Sequence, residues 1–309
     1  MDELLLGLAA VLSFLFGWNN SSLLIGNLRG SGSTSFTTSV LIAIIGLLVG
    51  TLLEGPKMVS SLAGSIAPTA TSSVMLATLL VSVLLTLGLT LIDLPVSFSM
   101  IMVGAFMGAI YSQALPLNVG HSELVILFWF LAPVGTGLIT AALYSAVTRL
   151  VSNLGILTVD SLNRAGTLVS GLAVSYTLGA NNIGLFYSSS LAGQPVDFGI
   201  MMALVAMAAV GVVTFGRNAL GGSIGDKMLA LSPQGVFSAF VASSLVVWLG
   251  TQFALPVSIS QCLLGGMLGA AYSRAISAVN RRLVTETLSL WVLAPLAAAG
   301  LAYAVGRLL

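Results

Sequence analysis

Ten apolar runs, each 17 to 28 residues long, fill most of this chain, at about 4–28, 36–53, 73–92, 96–112, 123–150, 167–189, 197–214, 234–254, 257–273 and 286–308. A helix needs about 20 such residues to cross the hydrocarbon core of a bilayer. Backbone facing lipid must satisfy its own hydrogen bonds, so runs of this length fold as helices. A membrane barrel would need short alternating strands, and these runs do not alternate. Stretches 56–72 and 216–233 are shorter and interrupted by Gly, Pro and Ser, and read as partial helices. The expected fold is an all-α polytopic membrane protein of about 10–12 membrane segments, with the lipid bilayer as its solvent.

Composition excludes most alternatives. Only 6% of residues are charged against 57% hydrophobic, too few charges to keep a soluble surface wet. A net charge of +1 provides no basic field for nucleic acid. Cys262 is the single cysteine, so an intrachain disulfide and a cysteine-based metal cluster are both ruled out. It reads as a small packing residue. Met1-Asp2-Glu3 lacks the basic start of a cleavable signal peptide.

The chain repeats itself. LPVSFSM at 94–100 returns as LPVSISQ at 255–261, and VGAFMGAIYS at 103–112 as LGGMLGAAYS at 264–273. WFLAPV at 129–134 returns as WVLAPL at 291–296, and GWNN at 17–20 as GANN at 179–182. All four recur in order at an offset of 161 or 162 residues, the mark of a duplication. The expected units are a first membrane repeat over 1–148, a linker over 149–166 and a second repeat over 167–309. Arg274, Arg281 and Arg282 lie in a loop whose counterpart at 112–122 has no Lys or Arg; the turn with Arg29 corresponds to 190–197, again without one. Equivalent loops then lie on opposite sides of the membrane. That is an inverted-topology repeat, with the N-terminus outside and the linker inside.

Two motifs carry chemistry. Gly17-Trp18-Asn19-Asn20-Ser21-Ser22 and Gly179-Ala180-Asn181-Asn182 place consecutive amides inside apolar runs. Gly and Asn favour turn geometry, and a broken helix survives in a bilayer where its freed groups face protein or a wet cavity. Both Asn pairs are therefore expected at helix breaks; interhelical hydrogen bonding is the plainer alternative. Leu94-Pro95-Val96-Ser97-Phe98-Ser99-Met100 and Leu255-Pro256-Val257-Ser258-Ile259-Ser260-Gln261 read as helix starts. Free N–H groups and the positive dipole end at such starts suit an anion, and seryl hydroxyls add donors; ordinary serine caps are the plainer alternative. Gly104, Gly108, Gly265, Gly266 and Gly269 follow, at a spacing that lets helices pack closely.

With these motifs the whole chain resembles the inorganic phosphate transporter (PiT) family, which includes sulfate permeases. The family's Gly-Ala-Asn-Asp-Val-Ala-Asn appears as Gly179-Ala180-Asn181-Asn182-Ile183-Gly184-Leu185, and its Pro-Val-Ser-Thr-Thr-His as Pro256-Val257-Ser258-Ile259-Ser260-Gln261 and Pro95-Val96-Ser97-Phe98-Ser99-Met100. The resemblance implies a homodimer of inverted repeats in the plasma membrane and cation-coupled anion uptake. It places Asn19, Asn181, Ser97 and Ser258 where relatives contact anion or cation, with Ser99 and Ser260 in place of threonines. The departures are specific. The family's Asp is Asn20 and Asn182, its later Asn is Leu23 and Leu185, and its His is Met100 and Gln261.

The anion site expected is Asn19, Asn20, Ser97, Ser99, Asn181, Asn182, Ser258, Ser260 and Gln261 around one central cavity. Asn20, Asn182, Ser21 and Ser22 are the candidates for a coupling cation. No metal beyond a sodium ion and no cofactor beyond Na⁺ or H⁺ is implied. Protonated phosphate offers an O–H donor and wants an acceptor, whereas sulfate only accepts. A site without carboxylate therefore favours sulfate over phosphate, in a secondary transporter of an inorganic oxyanion. A sodium- or proton-coupled phosphate transporter is the alternative, and an anion channel a further one. Nothing pairs His121 with a nucleophile and the acids are scattered, so no enzyme is expected. Glu54 and Lys57 flank a Gly-Pro break and read as an ion pair near a membrane interface; Arg217, Asp226 and Lys227 read as an anchor and a solvated turn.

Overall fold

In the computed structural model the residues described are 1–92, 97–190, 195–216, 231–273 and 280–309, and among them there is helix and no strand. Leu94-Pro95-Val96, Arg217, Asp226, Lys227 and Arg274 lie outside the described residues.

The first half comprises α1 (Asp2–Gly30), α2 (Phe36–Glu54), α3 (Ser72–Leu91), α4 (Phe98–Ser112) and α5 (Val119–Val151). The second comprises α6 (Ile156–Leu178), α7 (Gly184–Ser190), α8 (Phe198–Phe215), α9 (Pro233–Gln252), α10 (Ile259–Ser273) and α11 (Arg281–Gly306). Short polar residues start most of the apolar helices. Ser35 accepts from the Thr38 amide, Thr71 from Val74, Asn118 from His121, and Ser232, followed by Pro233, from Gly235. Each side chain satisfies an amide that the first turn leaves free. After α2 the Gly-Pro sequence gives a 3₁₀ turn at Gly55–Met58 and a π turn at Ser61–Ile66, the partial helix expected there. Between α5 and α6 only residues 152–155 are non-helical, so most of 149–166 is helix.

Among the described residues seven helical segments are long and apolar enough to cross a membrane. Apolar runs such as α4 and α10, at 15 residues each, are too short for a full crossing and serve as hairpin arms. One expectation needs correction: the helix α1 runs unbroken through Asn19 and Asn20. Asn20 keeps the helical path by bonding its amide to the Phe16 carbonyl four residues back (3.1 Å), and the Ser21 and Ser22 hydroxyls bond three residues back, to Trp18 and Asn19. Only the second copy departs from α-geometry, as a π turn at Gly179–Ile183 between α6 and α7.

The two halves interlock. α1 packs on α8 of the other half, as α6 packs on α2; α4 packs on α11, as α10 packs on α5. The latter seams are made by glycine. A Cβ at Gly104 or Gly108 would fall on the carbonyls of Pro295 or Ala299, and one at Gly265 or Gly269 on those of Pro133 or Gly137. Removing the side chain lets backbones touch where lipid supplies no hydrophobic drive between helices.

Each half also contributes a helical hairpin, α3–α4 and α9–α10. The base of the first lies at the start of α5: Gln113 bonds Thr71 and Ser73, and the Asn118 amide bonds the Ile66 carbonyl. The base of the second lies near the other end of α5, where Gln234 bonds the Tyr144 carbonyl (3.0 Å) and the Thr148 hydroxyl (2.7 Å). Those two levels are about 40 Å apart along the helix. The hairpins therefore enter from opposite ends, and their tips meet inside, beside Trp129, whose indole donates to the Pro256 carbonyl at 3.0 Å.

Candidate functional site

The tips meet through serine. Ser97 precedes α4, yet its hydroxyl makes no cap bond to that helix; it donates across the junction to Ser258 Oγ at 2.8 Å. Ser258 does cap its own helix, accepting from the Gln261 amide (3.3 Å), and lies 3.1 Å from Ser260 Oγ. Ser97, Ser258 and Ser260 are all buried. The structure thus joins three of the four predicted serines across the two repeats. Ser99, in the first turn of α4, is 1% exposed, and its hydroxyl has no hydrogen-bond partner among the described residues.

Asn181 fixes the second tip. Its amide nitrogen donates to the Thr251 hydroxyl and the Leu255 carbonyl, both at 3.0 Å, and contacts Met58 Sδ at 3.7 Å. Its carbonyl oxygen accepts from the Val257 amide at 3.2 Å. One side chain so spans the turn from the end of α9 to the residue before Ser258. Inside that turn Ala254 has φ 53°, a left-handed conformation that a residue with a Cβ adopts at a cost. Asn19 repeats the arrangement more loosely. Its nitrogen reaches Thr90 Oγ1 at 3.4 Å, and its oxygen is buried with no partner among the described residues.

The remaining predicted residues do not join this cluster. Asn20 and Asn182 turn back on their own helices, to the carbonyls of Phe16 and Leu178. Ser21 and Ser22 do the same, so the four proposed cation residues spend their described hydrogen bonds locally rather than around one point. Asn20 and Ser21 line a space of about 10 Å³, the size of one water. Gln261 is buried, with Oε1 unpartnered among the described residues. It faces an apolar cleft of about 590 Å³ lined also by Met100, Trp129, Pro133 and Trp291. Neither of these two spaces takes in all nine residues. Beside the tips, Phe16 packs edge-to-face on Phe98 and on Phe186, with centroids 5.3 Å apart in each pair, and Phe98 and Phe186 are tilted at 6.2 Å.

Sequence reasoning missed Thr90 and Thr251, which hold the two asparagines. Their signal was available: each lies four residues before the Leu-Pro-Val-Ser motif, at equivalent places in the repeat.

The model of the phosphate transporter family matches residues 16–302. The chain belongs to that family. A protein of Methanocaldococcus jannaschii whose name calls it a phosphate permease is 24% identical over 96% of this chain and 94% of its own. A similarly named protein of Haemophilus influenzae is 21% identical over 91% and 90%. The solved structure titled "The sodium-dependent phosphate transporter" superposes with a TM-score of 0.89 at 15% identity, covering 99% of this chain and 98% of that one. This is a multi-pass membrane transporter and not an enzyme.

Proposed function

We propose that the chain is a cation-coupled secondary transporter of inorganic phosphate, and that the anion binds where the two hairpin tips meet. The observation that carries this reading is the Ser97–Ser258 contact, at which repeat-related hydroxyls from opposite halves are buried together. Sulfate was expected because the motif carboxylates are missing, leaving no acceptor for the proton of phosphate. The fold weighs against that expectation. Asn19 Oδ1, Ser99 Oγ and Gln261 Oε1 are buried oxygens without described partners, close to the two tips, and each accepts a hydrogen bond from a P–OH group. The names of the relatives agree with phosphate.

Ser97, Ser99, Ser258 and Ser260 supply donors in this reading, with Asn19 and Asn181 placing the tips. Residues 1–148 and 167–309 form the two repeats. Hairpins entering from opposite ends of α5 support their inverted relation. The membrane is the plasma membrane with the N-terminus outside, and the protein is a homodimer. The test is competition in proteoliposomes. Unlabelled phosphate should displace labelled phosphate at lower concentration than sulfate does, at pH 6 and pH 8 alike. Stronger displacement by sulfate at both would return the site to sulfate.

A further inference from the structure

The pair Glu54–Lys57 forms as its spacing suggested, at 3.0 Å, but it does not stand alone. Glu54, the last residue of α2, also accepts from the Trp248 indole at 3.2 Å and from Gln252 Nε2 at 3.1 Å. Lys57 donates in turn to Gln252 Oε1 at 2.6 Å, and Gln252 Nε2 reaches back to the Trp248 carbonyl at 3.2 Å. A part-exposed ion pair fixes little by itself. Hydrogen bonds to a charged group are the stronger kind, and here they tie two elements together. Trp248 and Gln252 form the last turn of α9, so the end of α2 grips the end of the helix that leads to the second tip.

The grip continues along the chain. Thr251, beside Gln252, accepts from Asn181, which also bonds the Leu255 carbonyl and the Val257 amide. Trp129 donates to the Pro256 carbonyl. From Trp248 to Val257 the chain is thus held from α2, from the π turn and from α5. Ser258 is the next residue, and its hydroxyl receives Ser97.

The duplication does not call for the carboxylate grip. At the repeat offset of 161 or 162, Trp248 and Gln252 are matched by Leu87 and Leu91, and Glu54 by Gly216. Leucine and glycine carry no polar side-chain group, so this network cannot form at the equivalent place in the first hairpin. The residues were set apart in one repeat only, next to the serine that both tips share.

Resting on the transporter reading above, we propose that Glu54 is a positioning residue for the anion site: with Gln252 it anchors the end of α9 and so fixes where Ser258 presents its hydroxyl. A donor aimed before the anion arrives need not be ordered when it binds, and less of the binding free energy is lost. Glu54 does not touch the anion; it acts through Ser258.

Two measurements on purified, folded protein test this: calorimetric titration with phosphate, and maleimide labelling of Cys262. Cys262 is the single cysteine; it is buried on α10, and its amide bonds the Ser258 carbonyl at 3.1 Å, so its labelling reports on the tip with no anion present. Glu54→Ala should weaken phosphate binding about fivefold and speed labelling about fivefold or more. Glu54→Gln keeps an acceptor for the indole and should recover both to within about twofold of wild type. In a Ser258→Ala background, Glu54→Ala should cost no further affinity, because the hydroxyl it positions is gone. A grip that only stabilises the fold would lower yield and leave the affinity of the folded fraction unchanged. That result, or losses that add to those of Ser258→Ala, would overturn the proposal while leaving phosphate transport standing. Should Glu54→Ala not fold, Gln252→Leu carries the test with the same expected losses, since α3 folds with leucine at the equivalent place. Absence of phosphate binding by wild type removes the transporter reading; labelling then decides the grip alone, and equal rates in wild type and variant overturn it.

Discussion

The two copies of the asparagine motif share a sequence and differ in backbone. Gly17 to Asn20 lies in an unbroken helix, and among the described residues Asn19 makes one long side-chain bond, to Thr90. Gly179 to Asn182 lies in a π turn, and Asn181 makes bonds of 3.0 to 3.2 Å to Thr251, Leu255 and Val257. The serines differ in the same sense: Ser258 caps its helix and receives Ser97, while Ser97 caps nothing. A duplicated sequence has thus settled into an uneven pair of conformations. A shift of register by one residue, as in a π turn, re-aims a side chain without any change of sequence. Among the described residues Asn181 is bonded more closely to its hairpin than Asn19 is, and this inequality is open to measurement.

The largest expected effect is at Asn181. Asn181→Ala removes several bonds at once and leaves buried partners unpaired, so it should cost about 3 kcal/mol in thermal unfolding in detergent. Asn19→Ala should cost about 1 kcal/mol or less. Equal losses would show that the unevenness is geometric and carries no energy. Next come the glycine seams, where the halves should be alike. Gly108→Leu and Gly269→Leu each drive a side chain into a facing backbone and should lower folded yield to a similar degree; a difference of several-fold would mean that one seam governs assembly.

The serines follow. Ser258→Ala should weaken phosphate binding about tenfold, the loss of a buried donor to an anion. Ser97→Ala should weaken it less, because Ser258 keeps its cap without it. Calorimetric titration of both variants ranks them, and a larger effect at Ser97 would reverse the order. The smallest expected change is the stability of Ser99→Ala. That hydroxyl has no described partner, so its loss should leave thermal stability within about 0.5 kcal/mol. Phosphate affinity should still fall. Unchanged affinity would remove Ser99 from the site.

Fold class was legible from run length alone, because a chain this poor in charge has no solvent but lipid and no backbone solution but helix. The duplication and the closeness of Ser97 to Ser258 followed from matching motifs, and the glycine seams from spacing. Other features were decided in three dimensions. Asn19 and Asn20 were expected to break a helix, and they do not. A mid-helix amide can bond to the carbonyl four residues back, and whether it does so or reaches a neighbour depends on what packs beside it. Glu54 and Gln252 are 198 residues apart, and no local pattern relates them. Only the packing of α2 and α6 beside the end of α9 brings a carboxylate, an ammonium, an indole and an amide to one point. Local hydrogen-bond rules are written in the sequence. Which of several available partners a buried polar group takes is settled by the tertiary neighbours that exclude water from the rest.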